Sequence, residues 1–165
     1  MQHEGLIGRV IAGQRIESVA GRGGMGVVYR AIDVDLERAV AVKVIAPAYA
    51  DDAAFRRRFI AESRAAARVD DPHIIPVYQA DEVGGVLFIA MRFVPGGDLR
   101  RVLDIEGPLR PERAMEYIFP VASALDAAHA AGLVHRDVKP ANILLGSAVR
   151  VSSVPVRLLS PKSVR

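Results

Sequence analysis

The 165-residue chain has no cysteine, which removes disulfides, thiolate metal sites and thiol nucleophiles together. Long hydrophobic runs are missing too. The longest, Val86 to Met91, is six residues, far short of the roughly 20 that span a bilayer. The N-terminus carries Glu4 and Arg9 and lacks the apolar core of a secretory signal. These absences predict a cytoplasmic chain with no membrane segment. Acids are missing from one stretch only: residues 146–165 contain Arg150, Arg157, Lys162 and Arg165 and neither Asp nor Glu. The net charge of +3 and the pI of 9.6 belong to that stretch, because 22 basic residues less these 4 leave 18 against 19 acidic ones. No aromatics interleave with a basic stripe, so the body predicts no nucleic-acid partner.

What is present is the composition of a soluble globular domain: 51% apolar and 25% charged, long enough to bury a core. Residues 14–19 alternate polar and apolar, then meet Gly21, Arg22, Gly23, Gly24, Met25 and Gly26. Val27, Val28 and Tyr29 follow, so the reading is strand, glycine turn, strand. A dinucleotide fold with the same spacing opens a helix at this point, and these strand formers do not. Glycines allow main chain to approach phosphates without side chains in the way. An ordinary glycine-rich hairpin turn is the alternative.

The next strand, Ala39 to Ile45, holds Lys43 inside an apolar run. A buried ammonium needs an anion, unless the side chain snorkels to an edge. The spacing then predicts a helix over 53–69, capped by Asp51 or Asp52. Phe55, Phe59, Ala66 and Val69 share one face, and Glu62 sits within that stripe. Its partner is Lys43 or, at the surface, one of the helix arginines. Strands are expected over 74–81 and 86–94 around a turn at 82–85. A Pro95-Gly96-Gly97 break, a short helix over 98–106 and a long one over 111–131 complete the body. Pro120 lies inside the long helix, where it should kink it or cost about 3 kcal/mol.

His135-Arg136-Asp137-Val138-Lys139-Pro140-Ala141-Asn142 places a carboxylate, an ammonium and a carboxamide at fixed offsets. Such a loop can hold a base, a cation and a metal ligand around one reacting phosphate. The alternative is a polar turn in which Asp137 merely caps and Lys139 is solvated.

In this order and at these separations, the motifs of the first 145 residues resemble the bacterial, Hanks-type branch of the serine/threonine protein kinases. The resemblance implies an α+β, protein-kinase-like fold with a complete antiparallel N-lobe sheet, one helix and only the first part of a helical C-lobe. It divides the chain into an N-terminal extension (1–13), N-lobe and hinge (14–94), partial C-lobe (95–145) and a disordered basic tail (146–165). It implies ATP and magnesium as cofactors and a protein bearing Ser or Thr as substrate. Gly21 to Gly26 would cover the phosphates, and Val28 and Ala41 would sandwich adenine. Lys43, paired with Glu62, would hold the α- and β-phosphates. Met91 would be the gatekeeper. The main chain of Arg92 and Val94 would read adenine, although many relatives have Glu where Arg92 stands. Leu144 would line the same site, and Asp98 would touch ribose or a basic peptide. Asp137 would be the base, Lys139 would balance transition-state charge, and Asn142 would bind magnesium.

The pattern departs from the family after Leu145. No Asp follows Asp137 and no Phe follows Phe119, so the Asp-Phe-Gly motif and the activation segment are missing. The expectation is a kinase truncated after its catalytic loop, its tail a frameshift product or a substitute end. The alternative function is a pseudokinase-like module that binds ATP or dimerises with an intact kinase.

Overall fold

A computed structural model describes residues 4–146 and 151–153. The chain forms two compact units. The first runs to Arg64 and includes Val77–Phe93; the second takes Ala65–Pro76 and the chain from Val94 onward.

The first unit is built on a six-stranded sheet of order β1-β2-β3-β4-β6-β5, antiparallel at every pairing. Its strands are β1 (Val10–Ile11), β2 (Gln14–Gly23), β3 (Gly26–Asp33), β4 (Arg38–Ile45), β5 (Val77–Val83) and β6 (Val86–Arg92). Side chains alternate between faces along a strand, and the register turns that alternation into a division of labour. Rows Val27–Val44–Phe88 and Tyr29–Val42–Ala90 fall on one face, where they join Ile11, Ile16, Ala31 and Val40 in the core. Full burial of such a side chain contributes about 1.5–3 kcal/mol. Rows Val28–Lys43–Ile89 and Arg30–Ala41–Met91 fall on the other face.

The segment expected as a mere extension is tied to this sheet. Gly8 N–H donates to Ile16 O at 2.8 Å, and Ile16 N–H to Arg9 O at 2.9 Å. Two short helices follow β4: α1 (Pro47–Ala50) and α2 (Ala53–Ala66). Asp52 caps α2, its Oδ1 accepting from Ala54 N–H at 2.7 Å and Phe55 N–H at 3.2 Å. Phe55, Phe59, Ser63 and Ala66 form the buried stripe. The helix stops at Ala66, short of the expected Val69, because Arg68 and Val69 donate to Ala65 and Ala66 in tighter three-residue turns. Likewise β5 begins at Val77 rather than Ile74. Ile74 and Ile75 are buried, and Pro76 has no N–H to give a ladder.

The second unit contains α3 (Leu99–Glu106), α4 (Pro111–Ala130), β7 (Ile143–Leu145) and β8 (Val151–Ser153). Asp98 caps α3 by accepting from Arg101 N–H at 2.9 Å, and Gly107 ends it with φ +77°. Arg113 of α4 pairs with Glu106 of α3. Leu99, Tyr117, Val121 and Ile143 make the core between them. Pro120 neither ends nor interrupts α4. Its missing N–H leaves the carbonyl of Glu116 without a donor, and Glu116 is exposed, where water can supply one. Within the stretch expected as a disordered tail, Val151–Ser153 pair antiparallel with β7, Ile143 opposite Ser153 and Leu145 opposite Val151. The rest of that expectation lies outside the described residues, apart from Gly146.

Candidate active site

In the first unit, the chemistry-bearing face of the sheet is laid out by register alone. Lys43 lies between Val28 and Ile89, one row from Ala41 and Met91. Lys43, Ala41 and Met91 are 6–8% exposed, so the ammonium is carried in an apolar setting that demands an anion. Glu62 stands on α2 one turn beyond Phe59 and is half-buried beside buried Ser63. Arg92 is exposed at the end of β6.

The glycines at the β2–β3 turn separate into two kinds. At Gly26, an added Cβ would lie 1.9 Å from Val44 O and the backbone has φ +148°, so the fold itself requires glycine there. At Gly21, Gly23 and Gly24 an added Cβ would meet nothing within 4 Å, and none has positive φ. Neither strain nor packing within the chain calls for glycine at these three. They leave bare main chain facing open space, the form a phosphate cradle takes. Arg22 is exposed among them, and Met25 O accepts from Ala46 N–H at 2.9 Å, tying the turn to the end of β4.

In the second unit, the loop after α4 is held by its own side chains. Asn142 Nδ2 donates to Asp137 O at 2.7 Å and to Asp137 Oδ2 at 3.0 Å. Lys139 Nζ lies 3.0 Å from the same Oδ2. His135 is buried, and its Nδ1 accepts from Asp137 N–H at 3.3 Å. Arg136 takes φ +59°, a backbone state costing of order 1–3 kcal/mol. The result is a carboxylate locked in place with one face partly open. Its side chain is 18% exposed, against 50% for Lys139. Asp98 and Leu144 form a β-bridge in this unit. Leu145 N–H donates to Gly97 O at 2.9 Å, and a Cβ on Gly96 would sit 2.1 Å from Leu145 O.

The structure thus gathers Gly21 to Gly26, Val28, Ala41, Lys43, Glu62, Met91 and Arg92 in the first unit, and Val94, Asp98, Asp137, Lys139, Asn142 and Leu144 in the second. Sequence reasoning quoted His135 within its motif but gave it no part, and it missed the approach of Gly96 to Leu145, a contact that no period or motif encodes.

Magnesium ordinarily takes one or two carboxylates beside phosphates and water. With Asn142 Nδ2 engaged by Asp137, Asn142 Oδ1 remains as a donor. Among the described residues no three His, Cys, Asp or Glu group as a metal site, and the sequence has no carboxylate after Asp137. The residues present do not complete a magnesium site.

Comparison with known proteins agrees with this layout. The protein kinase domain family matches residues 15–154, beyond the point where the motifs stop. Serine/threonine-protein kinase PknD of Mycobacterium tuberculosis is 50% identical over 125 residues, covering 76% of this chain and 19% of that protein. Serine/threonine-protein kinase PknE of the same species is 46% identical over 133 residues, covering 81% of this chain and 24% of that protein. Among solved structures, the Mycobacterium tuberculosis PknI kinase domain superposes with a TM-score of 0.83 at 38% identity, covering 93% of this chain and 63% of that one. The chain spans about a fifth to a quarter of these curated relatives and less than two thirds of that solved kinase domain.

Proposed function

We propose that this chain, which belongs to the protein kinase domain family, serves phosphoryl transfer from ATP to a serine or threonine hydroxyl of a protein. The observation that carries this reading is the Asp137 carboxylate held by both Asn142 and Lys139 at 3.0 Å. A carboxylate so fixed can accept the proton of an attacking hydroxyl as that oxygen bonds to the γ-phosphorus and the bond to ADP breaks. The Lys139 ammonium offsets charge on the transferring group and marks the serine/threonine type. Positioning and electrostatics then carry the rate.

The first unit supplies the nucleotide's contacts. Bare main chain at Gly21, Gly23 and Gly24 covers the phosphates, and Lys43, oriented by Glu62, holds the α- and β-phosphates. Val28 and Ala41 pack on adenine with Met91 as gatekeeper. By the family's pattern, Val94, Leu144 and Asp98 are assigned to the nucleotide as well. The hinge reads adenine through main-chain groups, so Arg92 in place of the common Glu leaves recognition intact. No step is assigned to magnesium, for which Asn142 offers a single oxygen. No helix among the described residues is long and apolar enough to cross a membrane.

The missing second carboxylate favours one other reading: a non-catalytic module that binds ATP, or docks on an intact kinase by dimerisation. Labelled phosphate transfer from Mg·ATP to a serine-containing protein decides between them. The catalytic reading expects transfer that falls about 10²- to 10⁴-fold in Asp137→Asn. If wild type and variant transfer equally, Asp137 is not the base. An ATP-dependent rise in melting temperature, absent in Lys43→Ala and unaccompanied by transfer, selects the binding module.

A further inference from the structure

Arg30 is an odd residue for its position. It lies on β3 in the row Arg30–Ala41–Met91, on the face that carries Val28 and Lys43. A guanidinium therefore stands where the apolar pattern calls for another valine. Its head group is doubly held. Glu17, beside the irregularity in register between Ile16 and Ser18 of β2, forms an ion pair with Arg30 Nη1. The guanidinium carbon also lies 5.7 Å from the ring centroid of Phe93. Phe93 follows Arg92, whose pairing with Val40 is the last of the β4–β6 register. Beyond that pair, the ladder to β4 no longer fixes the main chain.

We infer that Arg30 is a positioning residue for base recognition: clamped by Glu17, it stacks on Phe93 and fixes the main chain of Arg92 and Phe93 that faces a purine. This deepens the nucleotide-binding reading above and rests on it. A planar guanidinium suits the role because one face can stack while its edge meets a carboxylate. The clamp sits in the base row, whereas Lys43 sits in the phosphate row, so the two should separate by ligand.

The test is titration of the full chain with ATP and with inorganic triphosphate, which lacks the base. Wild type is compared with Arg30→Gln, Phe93→Leu and the double variant; Phe93→Leu keeps every charge and covers the case in which Arg30→Gln does not fold. Each single variant is expected to bind ATP about threefold to tenfold more weakly and triphosphate as wild type does. The double variant should lose no more than the worse single one. Unchanged ATP affinity in both single variants overturns the inference while leaving the nucleotide reading intact. So does an equal loss for the two ligands, which would mean general loosening or bulk charge. If wild type binds neither ligand, the nucleotide reading falls and this inference falls with it.

Discussion

Phe88, Tyr29, Val40 and Val42 of the sheet unit are 0% exposed, whereas Leu99, Tyr117, Val121 and Ile143 of the helical unit retain 7–9%. Three further apolar residues of α4, Met115, Ile118 and Phe119, are 39–66% exposed. They recur at i, i+3 and i+4, which makes a second stripe on a helix whose first stripe is already used in the core. A sheet strand has two faces and one period, so a single register sorts every residue. A long helix that is apolar on two sides needs cover on both, and among the described residues α4 has it on one. The difference teaches that a domain's elements do not enclose their apolar residues equally: the central rows of the sheet are sealed, while α4 keeps an apolar stripe in the open.

Core truncations test that most severely. Phe88→Ala should destabilise by about 3–5 kcal/mol, since it empties a fully enclosed site. Ile143→Ala should cost about 2 kcal/mol, at the low end for its type, because a rim residue leaves a space that solvent can enter. The midpoint of urea unfolding reads both. Equal losses would abolish the contrast.

The glycines sharpen it next. Gly26→Ala forces a Cβ against Val44 O in a backbone state that L residues avoid, and should cost about 1–3 kcal/mol. Gly23→Ala meets open space and should leave the melting temperature unchanged while weakening triphosphate binding. A Gly23→Ala protein that melts early but binds normally would make the loop a structural turn and remove its claim to phosphate.

How far these features were legible depends on how local their causes are. The paired strands around Lys43 declared themselves, because burial alternates along β3 and the apolar runs of β4 and β6 are buried almost throughout. The loop from His135 to Asn142 was equally plain, since its hydrogen bonds close within five residues of one another. By contrast β1 has two residues and α1 four, too few to show any period. The ends of α2 and β5 were misplaced because turn bonds at Ala65 and Ala66, and the burial of Ile74 and Ile75, outweighed propensity. Pro120 looked like a breaker, yet sequence cannot say that the carbonyl it orphans belongs to an exposed residue. The clamp on Arg30 joins three strands' worth of chain and left only a misplaced charge as its signal.

On the open side of α4, Phe119→Lys should change stability by less than about 0.5 kcal/mol and reduce light scattering at high concentration, since an uncovered apolar stripe invites association. A loss beyond 1 kcal/mol would mean the stripe is covered, and the two units would then differ less than their exposures suggest.

The smallest effect lies at the start of α2. The N–H groups of Phe55 and Ala54 donate to Asp52, with Arg58 and Arg57 nearby, and together they hold its carboxyl below the usual 3.8. A carboxylate with a lowered folded pKa adds stability that is fully present above the unfolded value and is lost as pH falls through the folded one. The acid limb of unfolding should therefore steepen below about pH 3.8. Asn can accept the same cap bonds without titrating. Asp52→Asn should match wild type near neutrality and shed that part of the acid sensitivity. If the two acid limbs coincide, the cap bonds bind the protonated and ionised carboxyl equally, and the sheet unit's advantage owes nothing to the helix that flanks it.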